Sequence, residues 1–338
     1  MMEENMRGKT LYIVVPCYNE EAVLPEAARR LKEKLTALRH AGKVSEQSRI
    51  LFVNDGSTDG TWDIISSLHE KDPLFSGLDL SRNRGHQNAL LAGLLTAGER
   101  ADMVISMDAD LQDDVDAAEA MVDQYLAGCD IVYGVRSSRK KDSFFKRVTA
   151  EGFYRLMNAM GAETVFNHAD YRLLSRRAVE GLAQFQEVNL FLRGVVPMIG
   201  YPSSIVEYER GKRFAGESKY PLKKMLAFAL EGITSLSTRP IRLITTLGFL
   251  VFLVSLLMLL YSLTRWAQGD TVLGWASTIC SVWAIGGLIL LSLGVIGEYI
   301  GKLYLESKHR PRFLIREILE ALPCVSEENE VNYKEQRK

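Results

Sequence analysis

No two of the four cysteines stand in C-x-x-C spacing. Cys17, Cys129, Cys280 and Cys324 are scattered along 338 residues, which argues against a zinc site or a disulfide framework and fits a reducing compartment. Glycine-rich phosphate cradles are missing too. The chain has no G-x-x-x-x-G-K-[ST] and no G-x-G-x-x-G, so a bound phosphate must be neutralised by metal and arginine instead. Neither charge sign is in excess: 41 Lys and Arg face 42 Asp and Glu, for a net charge of −1. No global field therefore recruits nucleic acid or anionic lipid. The segment Met1 to Thr10 is polar, carries Glu3 and Glu4, and has no basic run leading into an apolar one. It does not read as a signal peptide, and the first domain is expected to stay in the cytosol.

What is present begins with two long uncharged runs, Leu243 to Thr264 and Thr271 to Gly297, separated only by Arg265 to Asp270. Each matches the roughly 20 residues that cross a bilayer as a helix, and each is apolar on every face, unlike an amphipathic core helix. The pair reads as a transmembrane hairpin with helices over 241–264 and 271–297. Basic residues flank it on both outer sides: Lys219, Lys223, Lys224, Arg239 and Arg242 before, then Lys302, Lys308, Arg310, Arg312 and Arg316 after. The excess of positive charge predicts that both ends, hence the first domain and both termini, lie on the cytoplasmic face of the cell membrane. Residues 219–240 mix Lys223 and Lys224 with Leu222, Met225, Leu226 and Phe228, the composition of an interfacial amphipathic helix. A cytosolic juxtamembrane helix is expected over 298–320, and a polar tail over 321–338.

Residues 11–218 alternate short β-branched runs with helical patterns, which implies an α/β domain of parallel strands covered by helices. The strands are expected at Leu11 to Val15, Ile50 to Val53, Gly77 to Leu80, Met103 to Met107 and Asp130 to Tyr133. Helices follow the first four, at Glu21 to His40, Thr61 to Lys71, Gln87 to Gly98 and Val115 to Ala127. Ligands of such sheets bind beyond the carboxyl ends of the strands. Polar clusters stand there: Pro16 to Glu20, Asn54 to Asp59, Ser81 to Gly85, Asp108 to Gln112 and Val135 to Arg139.

Asp108 and Asp110 offer two hard oxygens to one cation and Gln112 adds a neutral one, a set that suits Mg²⁺ or Mn²⁺ bridged to phosphate. Aspartates also cap helices and solvate loops, and Ser57, Thr58 or Asp59 can cap the helix near Thr61. Capping leaves Asp55 unexplained, and that carboxylate could accept from a base or ribose. Glu20 is either a first-turn helix acid or a nucleotide contact.

Taken together, Val15-Pro16-Cys17-Tyr18-Asn19-Glu20-Glu21, Asn54-Asp55-Gly56-Ser57-Thr58-Asp59-Gly60 and Asp108-Ala109-Asp110-Leu111-Gln112-Asp113 resemble the family 2 glycosyltransferases with the GT-A fold. Asn167 to Leu174, Arg213 to Tyr220 and Gly294 to Tyr299 resemble the polyprenyl-phosphate branch, which includes dolichyl-phosphate mannose synthases and bactoprenol-phosphate glucosyl- and N-acetylglucosaminyl-type transferases. The resemblance implies a Rossmann-like GT-A domain that binds a nucleotide-sugar, followed by interfacial helices and the hairpin. Pro16, Tyr18, Glu20 and Asp55 would then hold the nucleoside, and Asp108, Asp110 and Gln112 the metal. Asp170 would be the catalytic carboxylate of a D-[FY]-R-L motif. Arg136, Arg139, Arg213, Ser218 and Lys219 would contact donor or acceptor phosphates.

The implied reaction is metal-dependent, inverting transfer of a hexose to undecaprenyl or another polyprenyl phosphate. Glucose or N-acetylglucosamine is favoured as the sugar and UDP as the nucleotide, in the service of cell-envelope glycan modification. The implied partners are the nucleotide-sugar, the lipid and the membrane, with no nucleic acid, and homo-oligomerisation is left open. Ser175-Arg176 departs from the Asp-Arg that often follows D-[FY]-R-L and leaves the sugar open. Rival readings are a processive polysaccharide synthase, a diacylglycerol glycosyltransferase and a non-catalytic scaffold. The first lacks its Q-x-x-R-W pattern, the second fits Arg213 to Tyr220 poorly, and the third leaves the intact carboxylates without a purpose.

Overall fold

The computed structural model describes residues 8–136, 168–187, 191–209, 239–268 and 274–320. One eight-stranded sheet organises the first part of the chain. Its strands are β1 (Leu11–Cys17), β2 (Arg49–Asn54), β3 (Phe75–Leu80), β4 (Met103–Ser106), β5 (Ile131–Arg136), β6 (His168–Ser175), β7 (Ser203–Tyr208) and β8 (Ile315–Leu319), in spatial order β7-β5-β6-β4-β1-β2-β3-β8. The helices between them are α1 (Leu24–His40), α2 (Thr61–Lys71), α3 (His86–Gly98), α4 (Ala117–Leu126), α5 (Arg176–Ala183) and α6 (Leu192–Met198).

β1, β2 and β4 are largely apolar runs because both faces of the sheet are covered. Alternate side chains of β1 enter different cores. Leu11, Ile13 and Val15 join Leu31 and Leu35 of α1 and Met121 of α4. Tyr12 and Val14 join Leu90 and Leu94 of α3. At Gly93 a Cβ would come within 2.4 Å of Val14 Cγ1 and 2.7 Å of Val53 Cγ2, so glycine lets α3 ride close on the sheet.

The five expected strands and four expected helices all form, with ends shifted by a few residues. The sheet is mixed rather than parallel. β6 runs antiparallel between β4 and β5, and β8 runs antiparallel beside β3. The antiparallel course of β6 matters for function: its start, where Asp170 lies, is delivered to the edge at which β1 to β4 end.

Two long helices precede β8, α7 (Arg239–Ala267) and α8 (Trp275–Ser307). Among the described residues, one stretch is long and apolar enough to cross a membrane, Ile285–Ser307, with mean hydropathy 1.6, and α7 holds a shorter apolar one, Pro240–Val251. The helix expected over 298–320 is corrected. α8 continues unbroken to Ser307, His309 takes a left-handed φ of 47°, and the chain then becomes β8. The free edge of β3 supplies the ladder that turns these residues into a strand. The interfacial helix of 219–240, apart from its last two residues, and the tail of 321–338 lie outside the described residues.

Candidate active site

Two loops at the carboxyl edge are zipped together by short polar side chains. The Asn19 backbone N–H donates to Ser57 Oγ at 3.0 Å, and Thr58 N–H donates to Asn19 Oδ1 at 2.9 Å. Gly60 N–H donates to Glu21 Oε2 at 2.9 Å, and Glu20 N–H to Thr61 Oγ1 at 3.0 Å. Asn19 adopts a φ of 54°, which asparagine tolerates better than most residues. Pro16 is buried within β1, whereas Tyr18 is 47% exposed beside it. Asp59 Oδ1 accepts from Thr61 N–H at 3.1 Å, but the N-cap of α2 is Gly60 and no side chain caps the helix there, so the expected side-chain cap is corrected to a contact from one residue earlier.

Asp55 has a structural duty. Its Oδ1 accepts from Arg84 N–H at 2.7 Å and its Oδ2 from Gly85 N–H at 2.9 Å, so it fastens the turn after β3. Burial pushes its carboxyl upward, and those two amides oppose the rise. Each carboxylate oxygen keeps a further lone pair for a ligand. Gly56 completes the junction with a φ of 63°, and a Cβ there would stand 2.4 Å from Asn83 N. Gly56→Ala is expected to cost at least about 2 kcal/mol, from left-handed backbone plus the clash. A fall in the thermal midpoint would register it.

At the end of β4, Asp110 Oδ1 accepts from Gln112 N–H at 3.1 Å, closing a tight turn through Leu111, whose φ is 54°. A leucine in that region is strained, and its side chain is pinned among Val23 and Ala27. Gln112 itself is buried. Asp113 is buried as well, and it takes up Arg136. Arg136 Nη2 donates to Asp113 Oδ1 at 3.3 Å and the Tyr208 hydroxyl donates to the same oxygen at 2.5 Å. Arg136 thus stands at the expected edge, engaged with a carboxylate.

The register of β4 and β6 explains the centre of the site. Ser106 pairs with Arg172, so two residues further along the same antiparallel course Asp108 falls opposite Asp170. Ser106 Oγ reinforces this, donating to the Asp170 carbonyl at 2.5 Å. Between the two carboxylates stands His86, the first residue of α3. Its Nε2 is 3.6 Å from Asp108 Oδ1 and 3.7 Å from Asp170 Oδ2. Two arginines complete the cluster. Arg172 Nη2 donates to Asp170 Oδ1 at 2.6 Å, and Arg193 Nη2 to Asp170 Oδ2 at 2.9 Å.

These neighbours drive the two carboxylates apart in proton affinity. Burial would raise Asp170, but Arg193, His86 and Arg172 hold it well below the usual carboxylate range. Asp108 is raised to about 6 by burial and by the carboxylates of Asp170, Asp113 and Asp110, with only His86 pulling the other way. The imidazole of His86 is raised in turn: burial disfavours its charged form, and the carboxylates of Asp170 and Asp108 more than offset that.

A divalent cation fits this arrangement. Among the described residues no three His, Cys, Asp or Glu side chains form a metal cage by themselves. Two carboxylates completed by substrate phosphate and water are, however, a usual set for Mg²⁺. Burial is the main reason Asp108 is raised, and the nearby carboxylates of Asp170, Asp113 and Asp110 add a repulsion that a cation would relieve.

Sequence reasoning passed over His86 and Arg193. His86 directly follows the polar cluster Ser81 to Gly85, which was a usable signal; Arg193 lies in a seven-residue helix with no motif around it. Arg139, Arg213, Ser218 and Lys219 lie outside the described residues.

Comparison with known proteins agrees with this architecture. Residues 12–182 match the model of glycosyl transferase family 2, and residues 239–303 match the GtrB C-terminal hairpin. The uncharacterized glycosyltransferase YkoT of Bacillus subtilis is 52% identical over 90% of both chains. The bactoprenol glucosyl transferase of Shigella phage SfV is 40% identical over 90% of this chain and 97% of its own length. Among solved structures, mannosyl-3-phosphoglycerate synthase from Rubrobacter xylanophilus overlaps with a TM-score of 0.46 at 18% identity, over 69% of this chain and 74% of that one. With a family model spanning half its length and full-length relatives far above 30% identity, the chain belongs to glycosyl transferase family 2 and is a glycosyltransferase carrying a GtrB-type C-terminal hairpin.

Proposed function

We propose that this enzyme transfers a hexose, glucose or N-acetylglucosamine, from a UDP-sugar to undecaprenyl or another polyprenyl phosphate at the cytoplasmic face of the membrane, with inversion. The observation that carries the proposal is the convergence of Asp108 and Asp170 on His86, within 3.7 Å. It joins the donor-diphosphate end of the site to a cationic cluster suited to a second phosphate. The name of the phage relative, a bactoprenol glucosyl transferase, supports the same acceptor class.

The nucleoside would lie across the zipped loops at Pro16, Tyr18, Glu20 and Asp55. Asp108 and Asp110, with Gln112 beside them, would hold Mg²⁺ or Mn²⁺. When bound, the cation stabilises charge on the departing diphosphate. A phosphate oxygen of the lipid attacks the anomeric carbon, forming the new C–O bond as the bond to the nucleoside diphosphate breaks on the opposite face. A phosphate monoester has its second pKa near 6 and is mostly ionised at pH 7, so little proton removal is needed. That agrees with Asp170, whose depressed proton affinity makes it a poor base. Its work is to hold Arg193 and His86 toward the acceptor phosphate and to stabilise positive charge on the sugar ring. Arg136, Arg139, Arg213, Ser218 and Lys219 would add phosphate contacts.

The return of the chain to the sheet as β8 supports a two-helix membrane hairpin, because strands of one sheet lie on one side of a bilayer and require an even number of crossings. The test is direct. Purified protein is given undecaprenyl phosphate and Mn²⁺, with radiolabelled UDP-glucose, UDP-N-acetylglucosamine or GDP-mannose in separate reactions. Label from one UDP-sugar should enter the organic phase and be lost with EDTA. Nucleotide release without labelled lipid would overturn the acceptor, and label from GDP-mannose alone would overturn the donor.

A further inference from the structure

The turn Asn54-Asp55-Gly56 rests on a buried carboxylate. Asn54, 1% exposed, donates from Nδ2 to Asp79 Oδ1 at 2.8 Å, and its own Oδ1 accepts from Ser57 N–H at 3.2 Å. Asp79 is wholly buried within β3, an edge of the sheet but for β8. An ionised carboxylate so placed is costly unless a cation meets it. The cation comes from 237 residues away: the Arg316 guanidinium of β8 pairs with Asp79 Oδ2. β8 is seated for this by the ladder Leu78 to Ile318 and Asp79 to Glu317, by Ser81 N–H donating to the Leu314 carbonyl at 2.9 Å, and by the Arg100–Glu320 pair.

We infer that Arg316, which follows the helical hairpin, is a positioning residue for the donor site: it balances Asp79, and Asp79 orients Asn54 and with it the loop that receives the nucleoside. The hairpin and the donor loop are thereby mechanically joined through one strand. The inference rests on the reading of loops 16–21 and 54–60 as the nucleoside site. Arg316 is 59% exposed on its side chain and stands apart from Asp108, Asp170, His86 and Arg193, but its removal leaves the buried Asp79 carboxylate unpaired, so Arg316→Ala is expected to lower the thermal midpoint and is assayed well below it.

Full-length protein in detergent is assayed with donor and lipid varied separately. Arg316→Ala should raise the KM for the nucleotide-sugar about tenfold, the scale of a lost charged hydrogen bond, and leave the lipid KM and kcat close to wild type. Arg316→Lys should restore most of the affinity. Arg316→Ala combined with Asp79→Asn should restore it too, because asparagine still accepts from Asn54 and leaves no charge to balance. An unchanged donor KM in Arg316→Ala overturns the inference, as does a parallel rise in both KM values that Asp79→Asn fails to reverse. Tyr18→Ala is the control: if it leaves the donor KM unchanged, the nucleoside reading fails and takes the inference with it. If Tyr18→Ala raises the donor KM and Arg316→Ala does not, the tether alone fails.

Discussion

Asp170→Asn is expected to lower kcat by about 10²–10³ and to do so equally at pH 6 and pH 8. The substitution leaves Arg172, only 1% exposed, without its carboxylate partner, and Arg193 with a neutral one. Breaking a buried pair costs about 3–5 kcal/mol, so the thermal midpoint should fall together with activity. The sign of the pH dependence separates two roles. A carboxylate with a depressed pKa contributes its stabilisation above the ordinary value of 3.8 and loses it only as the pH falls further. Across pH 6 to 8 its charge is constant, so a general base of this kind would leave no acidic limb of its own in the rate profile. An acidic limb near pH 6 that survives in Asp170→Asn belongs to the acceptor phosphate. Loss of that limb in the variant would restore Asp170 as the base.

The second large effect is expected at Asp108. Asp108→Asn should reduce transfer by roughly 10³, the scale of removing one preorganised electrostatic stabiliser of a transition state. Mn²⁺ binding, followed by titration calorimetry, should weaken with it. Stability is expected to move the opposite way. The Asp108 carboxyl is raised to about 6 by burial and neighbouring carboxylates, so the folded state holds a proton that the unfolded chain has released between about pH 4 and 6. Cation-free wild type therefore loses stability as pH rises through that window. Asparagine mimics the protonated form, and the cation-free variant should melt above cation-free wild type at pH 7.5. A variant that melts lower would show that Asp108 stabilises the fold in its own right.

Much of this site was legible because parallel strands covered on both faces are written as short apolar runs. β1 to β4 therefore end where polar clusters begin, and Asp55, Asp108 and Asp110 could be placed at one edge without coordinates. Asp170 was visible as part of a motif, while its strand was not. β6 carries a buried arginine, Arg172, in the middle of an apolar ladder, and nothing local announces that Asp170, two residues earlier, neutralises it. His86 and Arg193 act only through residues far off in the chain, 84 and 23 positions from Asp170 as the numbering runs. β7 and β8 failed for another reason. Both are outer strands: β8 is mostly exposed, and β7 alternates between exposed and only partly buried positions, so neither carries the apolar run that marks a buried strand. In β8, Arg316 and Glu317 made the segment look like a basic continuation of the helix before it.

The late position of β8 also sets the order in which the protein can be completed during synthesis. At about 5–20 residues per second, the ribosome needs on the order of 10–50 s to travel from β3 to its partner strand. Throughout that interval β3 presents a bare row of amides and carbonyls, a template for pairing with any other nascent chain. Both hairpin helices emerge before the strand that covers it. A chain cut short after α8 would keep every carboxylate of the proposed reaction centre and still carry this open edge, which makes aggregation, rather than a clean loss of turnover, the expected fate of such a truncation.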